Sequence, residues 1–172
     1  MSYLPADNPD YLSRQLITYL GNKRALLPHI DGQICAVRDG LGGKKLRCAG
    51  LFSGCIVVTR HEDVAALCRE QNVDVVLHDL PHRSDTIRLG LEALGALDAC
   101  MFLPGDQPLL RRETVANLLR SWQEHPDCMV RPIHEDTEGS PVLFPAWAFP
   151  ELKSLPEGKG GGVLIKKYTH EV

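Results

Sequence analysis

The segment Leu103–Leu110 (LPGDQPLL) contains the residues whose types and spacing best suit catalysis. An apolar run ends at Pro104 and Gly105, so Asp106 is expected at the carboxyl end of a buried strand. A single carboxylate there suits Mg²⁺, which proteins usually hold with one or two carboxylates together with substrate phosphates. We therefore predict that Asp106 binds the metal, although an aspartate that only caps a turn would give the same pattern.

A second candidate is the segment His82–Leu91, which begins a predicted helix. Ser84 can cap this helix, and the free N–H groups of a helix start favour a phosphate. Arg83 and Arg88 could add positive charge. An ordinary capped helix with solvated arginines explains the same residues, so both interpretations stay open.

Two glycine-containing segments near the end of the chain are the remaining candidates. In Glu138–Pro145, Gly139 allows a backbone to approach a ligand closely and Ser140 offers a hydroxyl, although these residues are equally typical of a hairpin turn. Glu157–Gly162 is a glycine-rich loop that either lines a substrate pocket or only connects two elements.

The elements that must position these residues alternate between strands and helices. Short apolar, β-branched runs predict strands at Cys55–Thr59, Val73–His78, Ala99–Leu103, Cys128–Ile133 and Pro141–Phe144, the last antiparallel or at an edge. Helices are predicted after a Thr59/Glu62 capping box, after Ser84, and over Thr114–Trp122. This order predicts an α/β fold with a mostly parallel sheet covered on both faces. Ligands of such sheets bind beyond the carboxyl ends of the strands.

Residues 1–54 lack this alternation. Tyr11–Leu20 and Lys23–Val37 predict helices, and Gly40–Lys45 predicts a loop. We therefore divide the chain near residue 54, into an N-terminal segment of separate or diverged origin (1–54) and an α/β domain (55–172).

Composition argues against several other classes of protein. A net charge of −3 does not favour a non-specific nucleic-acid binder. The six cysteines include no CxxC pair, so buried, reduced thiols are expected rather than a zinc ribbon or a thioredoxin-type site. No secretory leader and no apolar run near the roughly 20 residues of a membrane helix is present. We expect a soluble, cytoplasmic protein.

The segment Cys55–Val172 resembles the MobA-like nucleotidyltransferases, especially the molybdenum cofactor cytidylyltransferase branch. The resemblance rests on IVVTRHEDV, HDLPHRSDTIRLGLEAL, DACMFLPGDQPLL, GSPVLFPAWAFPEL and GKGGGVLIKK, which occur in the family's order. It implies a three-layer Rossmann-like fold. It also implies Mg²⁺-dependent transfer of a nucleotidyl group from CTP or GTP to a phosphorylated acceptor such as the molybdopterin cofactor. An oxidoreductase that receives the finished cofactor is the implied protein partner.

The same resemblance implies roles for individual residues. Asp106 matches the family's metal-binding aspartate, and Gly105 and Gln107 flank it beside the substrate. Ser84 lies in the segment that faces substrate in the family, where Arg88 would help to hold an anionic group.

Three parts of the family pattern differ in this chain. Ser140 follows Gly139 where the family commonly has GHPVLF, and this pair is expected to approach the acceptor or the base. The family's first strand and its LAAGxSxRMGxxK loop, which grips the nucleotide, are not recognisable. One account makes Gly21–Pro28 a diverged form of that loop, with Lys23 in the catalytic role of its lysine. Because the family continues past Val172 to an acidic metal-binding segment, the domain is expected to be incomplete at its C-terminus.

The N-terminal part has a resemblance of its own. Leu12–Ile30 and Leu51–Cys55 are similar to the start of DNA adenine-N6 methyltransferases, in which YxGNKxxLLP and an FxGxG loop bind S-adenosylmethionine. No DPPY-type catalytic tetrad occurs in the sequence. Three hypotheses follow: a nucleotidyltransferase, a catalytically inactive nucleotide-binding or interaction domain, and a methyltransferase fragment. For residues 1–54, a fused or rearranged gene is favoured over a diverged loop.

Overall fold

The computed structural model describes residues 16–20, 55–105, 107 and 110–172, with side chains from residue 55 onward except at 112, 113 and 171. The strands are β1 (Leu16–Leu20), β2 (Ile56–Thr59), β3 (Asp74–Leu77), β4 (Ala99–Pro104), β5 (Ile133–His134), β6 (Thr137–Glu138) and β7 (Val142–Pro145). The helices are α1 (Glu62–Glu70), α2 (Arg83–Leu94), α3 (Arg112–Glu124), α4 (Phe149–Lys153) and α5 (Gly162–Lys167). Single 3₁₀ turns cover Ala146–Ala148 and Thr169–Glu171.

A five-stranded sheet forms the centre of the fold, in the order β3-β2-β1-β4-β7. The first four strands in this order are parallel, and β7 is antiparallel to β4 with Val142 opposite Phe102. From β1 the chain continues to β2 and β3 on one side, and it later adds β4 and β7 on the other. The strand order therefore reverses between β1 and β4, which is where open α/β sheets form a ligand crevice.

Alternating side chains of β4 contribute to two different cores. Cys100 and Phe102 pack with a large cluster that includes Ile87 and Leu91 of α2. The neighbouring residues Ala99 and Met101 pack with α3 through Val115, Leu118 and Leu119. Because successive strand residues point to opposite faces, helices cover both faces of the sheet. The predicted three-layer α/β architecture with a mostly parallel sheet is confirmed.

The predicted helix over Tyr11–Leu20 is wrong where the structure describes it, because residues 16–20 form the central strand β1. The sequence LITYL is a short apolar run with β-branched and aromatic residues, which suits a strand, and periodicity alone does not separate such a run from a buried helix. The remaining N-terminal predictions, including Lys23–Val37 and Gly40–Lys45, lie outside the described residues.

The predicted strand Cys128–Ile133 is also wrong. Val130 forms only an isolated bridge with Leu143, and Ile133 already belongs to the separate β5–β6 hairpin. Pro132 lies between these two pairings and lacks an N–H group, so it cannot donate a ladder hydrogen bond. The fifth predicted strand is confirmed as β7, an antiparallel strand at the end of the sheet.

Both predicted helix caps lie at different residues. Thr59 is the last residue of β2, and its Oγ1 accepts a hydrogen bond from the N–H of His61, which is the residue that precedes α1. Ser84 lies inside the first turn of α2, which His82 precedes. The Asp85 carboxylate accepts a hydrogen bond of 3.2 Å from the His82 N–H and so stabilises this helix start.

Candidate functional site at the carboxyl edge of the sheet

Parallel pairing brings the ends of four strands to one side of the sheet. Leu20 lies opposite Thr59, Thr59 opposite Leu77, and Tyr19 opposite Pro104. We call this side the carboxyl edge, defined by Leu20, Thr59, Leu77 and Pro104. The segments that leave it are those in which the sequence predicts chemistry.

The end of β4 presents an oxygen that lacks a partner. Gly105 is buried, and the Oε1 of Gln107 is shielded from solvent without a hydrogen-bond partner among the described residues. A buried polar group without a partner costs about 1–3 kcal/mol. Asp106, between these two residues, lies outside the described part of the chain. In the sequence, the predicted metal ligand thus lies between a buried glycine and a residue whose amide oxygen has no partner among the described residues.

His78 links the end of β3 to α2. Its backbone N–H donates to the Thr59 carbonyl at 3.1 Å, and its Nε2 lies 3.2 Å from Oγ1 of the buried Thr86. The Nδ1 atom is shielded from solvent and has no partner within the described residues. Burial, together with the positive charge of Arg60, lowers the pKa of His78. A neutral imidazole therefore stands at the carboxyl edge near the start of α2.

The two polar residues predicted on α2 have different surroundings. Ser84 is 8% exposed and is the second residue of α2, which begins at Arg83. Arg88 lies more than a turn further on, where it bonds to Asp85 at 3.4 Å and to Glu92 at 3.3 Å. Hydrogen bonds from these two carboxylates raise the pKa of Arg88. An anion bound by Arg88 would compete with both of them.

The glycine-rich segment Glu157–Gly162 lies against the start of α2. A Cβ on Gly160 would stand 3.2 Å from Nε of Arg83, and Nε2 of His82 is 3.4 Å from Oε2 of Glu157. Two segments that are about 75 residues apart, and that sequence reasoning treated separately, therefore meet. The contact is compatible with a loop that lines a pocket and equally with a loop that only connects two elements.

Gly139 and Ser140 precede β7, whose antiparallel direction puts its amino end at the carboxyl edge. The Gly139 N–H donates to the Pro132 carbonyl at 2.9 Å, and its own carbonyl accepts a bond of 3.3 Å from Nη2 of Arg131. Ser140 is half-buried and precedes a cis peptide bond to Pro141. The turn therefore lies at the same end of the sheet as Gly105, where the chain leaves β4. We call this point the β4 exit.

The fold thus gathers the predicted residues into two groups. Gly105 and Gln107 share the β4–β7 end with Gly139 and Ser140, whereas Ser84 and the glycine-rich loop meet at the start of α2. Sequence reasoning missed His78 and Arg131. A histidine directly after a predicted strand could have indicated His78, but the contact of Arg131 depends on strand pairing and leaves no pattern in the sequence.

Within the described part of the chain, no three His, Cys, Asp or Glu side chains lie close enough together to hold a metal ion. None of the described helices combines the length and apolar character that crossing a membrane requires.

A mostly parallel α/β sheet with polar loops at its carboxyl edge places the chain in the Rossmann-like class, whose members bind ligands at this edge. The model of the MobA-like NTP transferase domain matches residues 44–172, three-quarters of the sequence, and the chain belongs to this family. The expectation of a nucleotidyltransferase is thereby confirmed at the level of the family. The match includes Leu51–Cys55, one of the two segments that resemble a methyltransferase.

A curated relative is the 3-deoxy-manno-octulosonate cytidylyltransferase of Acinetobacter baumannii, which is 33% identical over 91 residues. The aligned region is 48% of this chain and 36% of the relative. The chain thus spans about a third of the length of the curated relatives it matches.

Solved structures share the fold. Rv0371c from Mycobacterium tuberculosis H37Rv in complex with manganese has a TM-score of 0.63 and 21% identity, over 90% of this chain and 81% of that chain. A CMP:2-keto-3-deoxy-manno-octonic acid synthetase complexed with CTP has a TM-score of 0.58 and 12% identity, over 91% and 83% of the two chains. The Rossmann-like nucleotidyltransferase fold is therefore confirmed.

Proposed function

We propose that this protein transfers a cytidylyl group from CTP, or a guanylyl group from GTP, to a small phosphorylated acceptor. The observation that carries the proposal is the convergence of the β4 exit, the start of α2 and the Gly139–Ser140 turn at one edge of the sheet, in a chain of the NTP transferase family. CTP is the first choice, because the curated relatives are cytidylyltransferases.

The residues at the β4 exit fit a hard divalent cation. Asp106 supplies a carboxylate, and Gln107 has an amide oxygen that is shielded from solvent and lacks a partner among the described residues. Mg²⁺ and Mn²⁺ prefer such oxygen ligands, and a structure with the same fold contains manganese. Asp106 and Gln107 would hold Mg²⁺, whose positive charge would offset that of the nucleotide phosphates.

Lys23 is proposed to contact the nucleotide phosphates as a point charge. It follows Leu20, the last residue of β1, by three positions, and three extended residues span roughly 10 Å. The central position of β1 supports the account in which Gly21–Pro28 replaces the family's nucleotide loop. A division of the chain near residue 54 remains a proposal about origin. Whatever that origin, β1 contributes to the same sheet as the rest.

The remaining residues are proposed to position the substrates. The helix start at Ser84 would hold an anionic group, because the positive end of a helix dipole favours negative charge. Arg88 could contribute if it exchanged its bonds to Asp85 and Glu92 for the anion. Gly105, Gly139 and Ser140 would contact the nucleotide or the acceptor at the β4–β7 end. Phosphoryl-type transfer depends mainly on such positioning and on electrostatic stabilisation.

The acceptor is proposed to be the molybdopterin cofactor, and an oxidoreductase would then receive the product in the cytoplasm. Resemblance to the molybdenum cofactor branch supports this acceptor, whereas the curated relatives are named for 3-deoxy-manno-octulosonate. Both compounds therefore belong in the assay.

The test incubates the purified protein with CTP or GTP, Mg²⁺ or Mn²⁺, and each acceptor, and measures pyrophosphate release and product mass. Asp106→Asn is expected to reduce turnover at least about a hundredfold, in line with the loss of a transition-state electrostatic contact. Asp127→Asn, in an exposed turn after α3, is the matched control. Full activity of Asp106→Asn would reject the proposed role of this residue.

The same preparation separates the alternatives. Calorimetric binding of CTP without turnover would favour a catalytically inactive nucleotide-binding domain. Binding of S-adenosylmethionine, with no affinity for either nucleotide, would favour the methyltransferase fragment.

A further inference from the structure

A bulge interrupts the antiparallel ribbon that leads into β7. Val130 pairs with Leu143 through two backbone hydrogen bonds of 3.0 and 2.8 Å, and Ile133 pairs with Glu138. Between these pairs, one strand has the two residues 131–132 and the other has the four residues 139–142. Two residues of the second strand are therefore unmatched. Bulges of this kind redirect side chains and are common beside active sites.

The bulge lies at the same end of the sheet as Gly105, where the chain leaves β4. Val142 is opposite Phe102 in the β4–β7 ladder, and Ser140 precedes Val142 by two residues. Asp106 follows Phe102 by four residues in the sequence. Because the two strands are antiparallel, both segments extend past the same end of this ladder. The bulge and the β4 exit are neighbours at the carboxyl edge.

Arg131 reaches from the opposite strand of the ribbon to the bulge. Its Nη2 donates to the Gly139 carbonyl at 3.3 Å, and its Nη1 lies 2.5 Å from Oε2 of Glu138. The Arg131 side chain is 13% exposed, whereas that of Glu138 is 63% exposed. The Nε of Arg131 is shielded from solvent and has no partner in the described part of the chain. The largely buried guanidinium of Arg131 thus bonds both to the Gly139 carbonyl in the bulge and to the Glu138 carboxylate.

We propose that Arg131 is a positioning residue: it holds the Gly139 carbonyl so that the bulge presents Ser140 to a nucleotide bound at the carboxyl edge. This inference rests on the proposed function. The planar guanidinium can bond to the Gly139 carbonyl and the Glu138 carboxylate at once, whereas a lysine ammonium on a flexible stem is less well oriented for both. The identity of residue 131 therefore matters beyond its charge.

The experiment compares Arg131→Met, Arg131→Lys, Ser140→Ala and the double variant Arg131→Met/Ser140→Ala. Hydrogen exchange of the Gly139 amide, which is bonded to Pro132, reports the order of the bulge in the free protein. Calorimetry with CTP and Mn²⁺ reports nucleotide affinity. Arg120→Met, which removes an exposed arginine from α3, is the matched control for loss of charge.

We expect Arg131→Met to speed exchange at Gly139 and to weaken CTP binding, each by roughly tenfold, as for loss of a hydrogen bond to a charged group. Arg131→Lys is expected to recover part of both losses, and Arg120→Met to change neither. Because Arg131 acts through Ser140, the CTP affinity of the double variant is expected to be no lower than that of the single variant with the lower affinity.

Three results would overturn the inference. If Arg131→Met bound CTP with wild-type affinity while Ser140→Ala bound it more weakly, the bulge would not need the hydrogen bond from Arg131. Additive losses in the double variant would show that the two residues act independently. If Arg131→Met does not fold, wild-type affinity and exchange in a folded Arg131→Lys protein would have the same meaning. Wild-type protein that binds neither CTP nor GTP would instead reject the proposed function, together with the inference that rests on it.

Discussion

Gly160 lies so close to Arg83 that a Cβ at residue 160 would stand 3.2 Å from the arginine Nε. This distance is shorter than an ordinary van der Waals contact. This close approach brings the glycine-rich loop near the end of the chain into contact with the first turn of α2. The start of α2 is therefore shaped by a residue that is 77 positions away in the sequence.

Gly160→Ala is expected to displace the Arg83 side chain by a few tenths of an ångström and to weaken nucleotide binding several-fold. The conformational stability should change little, since both residues lie near the surface. Calorimetric titration with CTP and Mn²⁺ measures the affinity, and thermal unfolding measures the stability. An affinity equal to that of Gly162→Ala, whose added methyl group meets nothing within 4 Å, would show that Arg83 does not contribute to the site.

Gly161→Ala is expected to destabilise the protein by about 1–3 kcal/mol, because overfilled sites in a packed core cost this much. The added Cβ would stand 2.6 Å from Cζ of Phe144, a side chain that is only 2% exposed and cannot move freely. Urea unfolding measures the effect. Gly162→Ala, one residue further on in the first turn of α5, should leave the stability equal or slightly higher. Equal midpoints for the two variants would contradict the packing argument.

His78 is expected to make the wild-type protein less stable as the pH falls. Burial and the positive charge of Arg60 lower the pKa of His78 below the 6.5 that is usual for histidine. Between the folded pKa and about 6.5, the unfolded state binds more protons, so the free energy of unfolding decreases as the pH decreases. His78→Gln should flatten this dependence below about pH 7. Chemical unfolding at each pH provides the slope, and His134→Gln, at a fully exposed histidine of the β5–β6 hairpin, should keep the wild-type slope.

The buried cysteines are expected to resist alkylation in the native protein. Burial raises the pKa of Cys68 to about 11, and it also raises the pKa of Cys100, so little thiolate is present at neutral pH. Among the described cysteines, Cys128 is the least buried and should react with iodoacetamide first. Mass spectrometry after brief labelling, with and without denaturant, locates the modified residues. Labelling of Cys68 or Cys100 at the rate of Cys128 would contradict this order.

Local patterns in the sequence predicted most of the fold after residue 55. The strands at Cys55–Thr59 and Ala99–Leu103 are short β-branched or apolar runs, and Thr114–Trp122 has clear helical periodicity, so nearest-neighbour preferences and burial agree there. At Leu16–Leu20 the local sequence did not decide between strand and helix, because a five-residue apolar run is equally compatible with a buried helix. Only pairing with β2 and β4 on both sides makes it a strand.

The candidate site was likewise predictable in part from local sequence patterns and in part only from the folded structure. The sequence alone determined which residues could do chemistry, since a carboxylate after a buried strand and glycines before polar side chains are local patterns. Tertiary structure decided which of them meet. The contact of Gly160 with Arg83 joins segments that are far apart in the sequence, and the hydrogen bond from Arg131 to Gly139 depends on the pairing around the β5–β6 hairpin. The energies of such contacts arise only after the chain has folded back on itself, and no residue spacing encodes them.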